Sequence, residues 1–273
     1  RVRDVTTDPR LRGGAETMAL LYDMQHEPDL IDEMTFVSPA TGDRVGLSYI
    51  EPRSIADLEA RRRMVKRWMD ATCGMFGRSP DFMNIHVTGF ASAAAEFARA
   101  GEAYGRNIRS YYEHAREADV AMTHTLVNPQ VDRSRPVQEQ AKDLAAKIVR
   151  ETDAGLVIRG ARMVATLGAY ANDLMVMPSN YLENTEAARP YAFGFNVPVA
   201  TKGLRIVARP STVHLQPGHP LDYPLSSRFD ETDCMVIFDD VLVPWERVFI
   251  NGDVDMCNGL YRRTGAMNQI MHQ

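Results

Sequence analysis

The stretch AMTHTLVNPQVDRSRP, Ala121 to Pro136, sets one imidazole between two threonines and follows it with an Asn-Pro-Gln corner. Imidazole exchanges a proton near neutral pH, which makes His124 a candidate proton acceptor. Pro129 fixes its backbone torsion and removes an amide donor, so Asn128 and Gln130 can present side-chain amides that both donate and accept. Taken singly, a histidine beside strand threonines is more often structural, and Asn-Pro is a common turn opener. Other chemistries lack their residues. The chain has no G-x-x-x-x-G-K-[ST], no G-x-G-x-x-G after a strand and no G-x-S-x-G, so P-loop, dinucleotide-fold and hydrolase-elbow readings fall away. Neither C-x-x-C nor H-E-x-x-H occurs, and no mononuclear metal site is expected. Cys73, Cys234 and Cys257 are far apart and odd in number, which suits a reducing compartment and leads to the expectation of a cytoplasmic protein.

The elements that must position these groups follow from pattern. With 45% hydrophobic and 25% charged residues, 273 residues suffice for one large domain or two modest ones. A net charge of −5 without a dense basic block argues against nucleic-acid or membrane-surface partners. The one basic cluster, RRRMVKR at Arg61–Arg67, reads as a solvated helix face. No apolar run reaches about eighteen residues, so no spanning segment is expected, and RVRDVTTDPR lacks a signal core. The chain opens without a Met and stops at MNQIMHQ within helix-like sequence, which suggests a fragment of a longer protein.

Ser54 and Asp57 form an S-x-x-D capping box, and Leu58, Met64, Trp68 and Met75 recur at helical spacing, predicting a helix to Phe76 closed by Gly77. A small-residue helix is expected over Asp81–Ala100. A third, over Gly101–Asp119, carries Tyr104, Ile108, Tyr111, Tyr112 and Ala115 on one side. Beyond Asp119 the period shortens to two. AKIVRETD, AGLVIRGARMVATL, DLMVMPS, YAFGFNVPV, GLRIVARP and CMVIFDDVLVP read as strands with no helix between them, implying an antiparallel sheet pair or barrel. The expected organisation is a mainly helical domain over 1–120, a β domain over 121–255 and the start of a further helical domain over 256–273.

FDDVLVPWERVF resembles the segment closing the β domain of acyl-CoA dehydrogenases, whose plan is also helices, β domain, helices. Together with GRSPDF, YYEHAREADVAMTHTLVNPQ, GLVIRGARMVAT and HPLDYPLSSRFDETDCMVIFDDVLVPWERVF, it is similar to one branch of that superfamily. This is the family of 4-hydroxyphenylacetate 3-monooxygenase large components and 4-hydroxybutyryl-CoA dehydratases. The resemblance implies an acyl-CoA dehydrogenase-like α+β fold with a C-terminal four-helix bundle largely missing. It further implies a reduced-flavin-dependent phenol ortho-hydroxylase that uses O2 and takes FAD, as FADH2, from a separate flavin reductase, and a homo-oligomer, dimer or tetramer, at full length.

Hydroxylating a phenol ortho to its hydroxyl is electrophilic substitution, favoured when the phenolic proton is partly lost. His124 can take that proton and Arg78 can stabilise the phenolate. By resemblance both contact the substrate hydroxyl. The family places a Tyr four residues after that Arg where this chain has Phe82, and Ser-Thr where it has Ser179 and Asn180, which puts 4-hydroxyphenylacetate itself in question. By the same resemblance Gln130 and Thr166 face the flavin, and the Asn-Pro-Gln corner can turn the Asn128 amide toward the same ring edge. Asp239 and Asp240 read as caps of a strand end and turn, Tyr111 and Tyr112 as packing, and His86 as facing either core or pocket. Two alternatives stand beside the hydroxylase: a CoA-thioester dehydratase, whose iron–sulfur cluster needs a close Cys pair where only Cys73 lies, and a non-catalytic flavin- or ligand-binding relative.

Overall fold

The computed structural model describes residues 2–129, 131–178, 181–210, 219, 221–226 and 228–270. Helices α1 (Arg12–Asp23) and α2 (Ile31–Met34) lead into a short hairpin of β1 (Thr35–Val37) and β2 (Arg44–Gly46). Then come α3 (Ile55–Ala71), α4 (Pro80–Ser92), α5 (Ala94–Ala98) and α6 (Glu102–Glu117). The β unit comprises β3 (Met122–Thr125), β4 (Lys147–Thr152), β5 (Gly155–Thr166), β6 (Asp173–Val176), β7 (Phe193–Pro198), β8 (Leu204–Ala208), β9 (Asp233–Pro244) and β10 (Val248–Asn251). Helices α7 (Val254–Thr264) and α8 (Ala266–Ile270) follow.

The capping box at Ser54 and Asp57 starts α3 as expected. The helix stops earlier than predicted, at Ala71, because Cys73 and Gly74 take left-handed torsions (φ 52° and 69°) that end an α-helix. Met75 therefore lies outside the helix and is exposed. The small-residue helix is two, α4 and α5, broken at Ala93. Small residues serve close packing: a Cβ on Gly89 would meet the Ala266 Cα at 3.1 Å, so α4 and α8 approach backbone to backbone there. The basic stretch is not wholly solvated. Arg61 is fully buried and donates to the Gln269 carbonyl (3.0 Å) and its side-chain oxygen (3.2 Å), tying α3 to α8.

The strands form two four-stranded sheets, β10-β7-β6-β3 and β4-β5-β9-β8. Pairing is antiparallel except between β3 and β6, which run parallel, an arrangement that strand periodicity does not reveal. One face of the first sheet (Leu174, Val176, Phe193, Phe195, Val197) packs on the second (Leu156, Ile158, Val236, Phe238, Val241, Val243). Its other face (Met122, Met175, Met177, Phe249, Ile250) packs on Met83, Val87, Ile108, Tyr111 and Tyr112 of α4 and α6. Burial on both faces explains why β6 and β7 are almost continuously buried, whereas β9 alternates. Asp239 and Asp240 sit inside β9 at a bulge rather than capping it. Asp239 pairs with Arg205 of β8 (2.6 Å), and Asp240, at φ 51°, takes both Arg159 nitrogens of β5 at 2.8 Å.

Candidate active site

The threonines around His124 are stitches. The Thr123 and Thr125 hydroxyls donate to the Thr166 and Met163 carbonyls of β5 (2.6 and 2.8 Å), joining the two sheets. Alternation along β3 then sends His124 to the opposite face, the one Met122 presents to the helices. The facing wall is the start of α4. Pro80 occupies its first turn, where a missing N–H costs nothing, and the Ser79 hydroxyl donates to the buried Asp81 carboxylate. Burial pushes Asp81 up to about 6, against the pull of Ser79 and Arg61. Glu231, just before β9, clamps the preceding loop: its carboxylate accepts the Arg78 N–H at 3.0 Å, and burial raises its pKa.

Three predicted residues meet here. The Arg78 guanidinium lies 4.2 Å over the Phe82 ring, whose centroid is 5.1 Å from that of His124. His86 joins them, one turn beyond Phe82, buried, with ring centroids 4.5 Å from Phe82 and 6.1 Å from His124. It therefore faces the seam. Tyr261 of α7 closes the far side, 6.4 Å from His86 and 6.2 Å from Phe90, its hydroxyl pushed up to about 12 by burial and so protonated. Burial, then His86 and then Arg78, pushes His124 down to about 3, while burial holds His86 down at about 4. The expectation of a group titrating near neutrality needs correction. His124 is an uncharged imidazole suited to hydrogen bonding, and it gains a proton readily only when an anion shares the site.

Asn128 and Thr166 flank this cluster at opposite ends of the β3–β5 seam, since Val127 bridges to Met163 whereas Thr123 bonds to Thr166. The Thr166 hydroxyl donates to Asp233 (2.7 Å), so it retains only its acceptor capacity. Asn128 is 6% exposed, and its Oδ1 has no partner among the described residues. Beside it lies a cavity of about 240 Å³ lined also by Asp132, Arg133, Arg135 and Gln140. An unmatched acceptor beside a cavity lined by two arginines fits a ligand bearing both an N–H edge and an anionic group, as a flavin nucleotide does. Gln130, Ser179 and Asn180 lie outside the described residues.

Sequence reasoning missed Glu231 and Tyr261. Glu231 belongs to the SSRFDET run that helped carry the resemblance, whereas nothing local in YRRT signals contact with α4. Among the described residues, no three His, Cys, Asp or Glu side chains gather as metal ligands, and no helix is long and apolar enough to cross a membrane.

Fold and seam together define an α+β protein with an aromatic-lined, imidazole-bearing site between helix and sheet. The chain belongs to the family described as 4-hydroxyphenylacetate 3-hydroxylase N terminal, which matches residues 1–250. It is 44% identical over 274 residues to the 4-hydroxyphenylacetate 3-monooxygenase oxygenase component of Thermus thermophilus, covering 100% of this chain and 55% of that one. Over 276 residues it is 37% identical to the oxygenase component of a Rhodococcus 4-nitrophenol 2-monooxygenase (99% and 51% covered). Its structure superposes with a TM-score of 0.90, at 44% identity, on a crystal structure of a 4-hydroxyphenylacetate 3-monooxygenase oxygenase component complexed with FAD and 4-hydroxyphenylacetate, over 98% of this chain and 54% of that one. The helices-then-sheets plan is thus the fold of a solved relative. The chain spans about half the length of the curated relatives it matches.

Proposed function

We propose that this chain carries the phenol-holding part of a reduced-flavin-dependent aromatic hydroxylase, the oxygenase component of a two-component monooxygenase working in the cytoplasm as a homo-oligomer. The observation that carries the reading is the convergence on one seam of Arg78 and Phe82, from the GRSPDF motif, with His124, from a second motif about forty residues on. A guanidinium beside two neutral imidazoles draws a phenol toward its phenolate by charge-assisted hydrogen bonding, and the ring becomes electron-rich at its ortho carbon. Phe82 forms an apolar wall for the aromatic ring.

Asn128, with Gln130 and Thr166, would hold the isoalloxazine edge, and Arg133 and Arg135 its anionic part. Bound FADH2, delivered by a separate flavin reductase, supplies the electrons that activate O2. The relatives act on phenols that differ at the para position, which supports the phenol class; Phe82, and Asn180 by its sequence position, favour a phenol other than 4-hydroxyphenylacetate. The test supplies full-length protein with chemically reduced FAD, O2 and a panel of para-substituted phenols. Catechols are expected; hydrogen peroxide alone across the panel overturns the proposal.

A further inference from the structure

We infer that His86 is a second phenol-contacting residue, and that the substrate oxygen sits between His86 and His124, donating its hydrogen bond to His86 Nε2 and accepting one from His124. This rests on the phenol-hydroxylase reading above and assigns the polarity of its site.

The tautomer of His86 follows from its neighbour. Nδ1 lies 2.8 Å from the Phe82 carbonyl oxygen, which can only accept, so Nδ1 carries the hydrogen. The ring is held neutral by burial, hence Nε2 is left with a bare lone pair. No described residue bonds to it. Nε2 can therefore accept a hydrogen bond from a ligand hydroxyl. His124 has no hydrogen bond among the described residues that fixes its tautomer, so it is free to turn an N–H toward the same point.

Spacing decides whether the rings bond each other. Their planes are 20° apart and their centroids 6.1 Å. Two imidazoles joined by a direct N–H···N bond would bring centroids to about 5 Å, given a nitrogen separation of about 2.9 Å. At 6.1 Å the two rings do not bond each other directly, and each keeps a nitrogen for a third group. Arg78 stands on the Phe82 side, and burial, with a smaller contribution from its positive charge, keeps both imidazoles uncharged. Tyr261, protonated, faces His86 from α7 and adds no competing negative charge. His86 thus supplies a polar contact beside Phe82, where that side chain offers none.

The test uses full-length apo protein with 4-nitrophenol, whose phenolate absorbs visible light and so reports the protonation of the bound phenol. His86→Leu keeps most of the volume and removes the acceptor. It is expected to weaken 4-nitrophenol binding by about tenfold and to lower the pKa of the bound phenol by about one, because a neutral acceptor for the phenol O–H favours the protonated ligand. His86→Gln, which keeps an acceptor, should recover most of both, with flavin affinity and thermal midpoint unchanged in each. A structural role alone would move the midpoint and not the pKa of the ligand. Should His86→Leu not fold, the unaltered protein decides: in its 15N-histidine spectrum, 4-nitrophenol must shift the bare-nitrogen signal that the His86→Gln spectrum lacks. Unchanged ligand pKa and affinity in His86→Leu, or an unmoved signal, overturns the inference alone, provided the unaltered protein binds and hydroxylates phenols. If that protein does neither, the hydroxylase reading fails instead.

Discussion

Two neighbouring regions fed by the same short segment, residues 121–140, are built on opposite principles. The seam around His124 is aromatic, and its imidazoles are uncharged. The cavity beside Asn128 mixes two arginines, Asp132 and Gln140 with Pro129 and Val137, and the Asn128 Oδ1 has no partner among the described residues. The first has its geometry settled by Thr123, Thr125, Glu231 and the Phe82 carbonyl before any ligand arrives. The second has polar groups still to be satisfied. A site that must distinguish one phenol from another gains from being rigid before binding, whereas one that must capture and release a large charged cofactor gains from unspent hydrogen-bonding capacity.

That contrast makes a crossed prediction, and it carries the largest effect. Arg78→Ala removes the guanidinium over the Phe82 ring, and losing a charged hydrogen-bond partner typically costs about 1.5–3 kcal/mol. Phenol affinity in the full-length protein should drop accordingly, with flavin affinity unchanged. Asn128→Ala should do the reverse, weakening flavin by about 0.5–1.5 kcal/mol and sparing the phenol. Paired titrations of both variants with FAD and with phenols check this. If either variant loses both ligands equally, the two regions are one site and the contrast fails.

How much of this is legible in the sequence depends on what each feature rests on. The capping box of α3 and every long strand of the β unit follow from local pattern, and they are readable there. The β1–β2 hairpin escapes because three-residue strands carry no usable alternation. Parallel pairing of β3 with β6 is a matter of tertiary topology, invisible to periodicity. In the site, Arg78, Phe82 and His124 emerge through motifs spread along the chain. The neutrality of His124 does not, since it comes from burial against α4 and from Arg78, both remote in sequence. The burial of Arg61 is hidden for the same reason, its partner Gln269 lying in α8.

The second prediction sets the imidazoles against the buried acids. His86 and His124 have folded-state pKa values of about 4 and about 3, below the unfolded 6.5 or so. As pH falls below about 6.5 the unfolded chain binds more protons at these sites, and each imidazole withdraws on the order of 1–2 kcal/mol of stability by pH 5. Asp81 and Asp119 are raised to about 6 and have the opposite sign, because below about pH 6 the folded state binds more protons and gains stability. The unaltered protein should therefore change little between pH 7 and 5. His124→Asn should gain relative stability over that range and Asp81→Asn should lose it, as read from urea midpoints at the two pH values. Parallel slopes in all three proteins would mean that the imidazoles are not held neutral by the fold.

The smallest expected effect belongs to Phe82→Tyr, and it probes the seam most finely. The ring already touches every member of the cluster, at 4.2 Å from Arg78, 4.5 Å from His86 and 5.1 Å from His124, so a hydroxyl added to it enters a network rather than empty space. Volume barely changes, and the thermal midpoint should hold. Two destinations for the new O–H give opposite signs. Aimed at the ligand, it should tighten simple para-substituted phenols by about 0.5–1.5 kcal/mol, roughly threefold to tenfold in Kd. Aimed at the bare nitrogen of His86, it should occupy that acceptor and weaken the same phenols by a similar factor, an effect that His86→Gln in the same chain would alter. Both outcomes keep Phe82 in the pocket. Unchanged affinity for every phenol, with an unchanged midpoint, would instead place the Phe82 para carbon away from the ligand, and the aromatic wall of the seam would then be only packing.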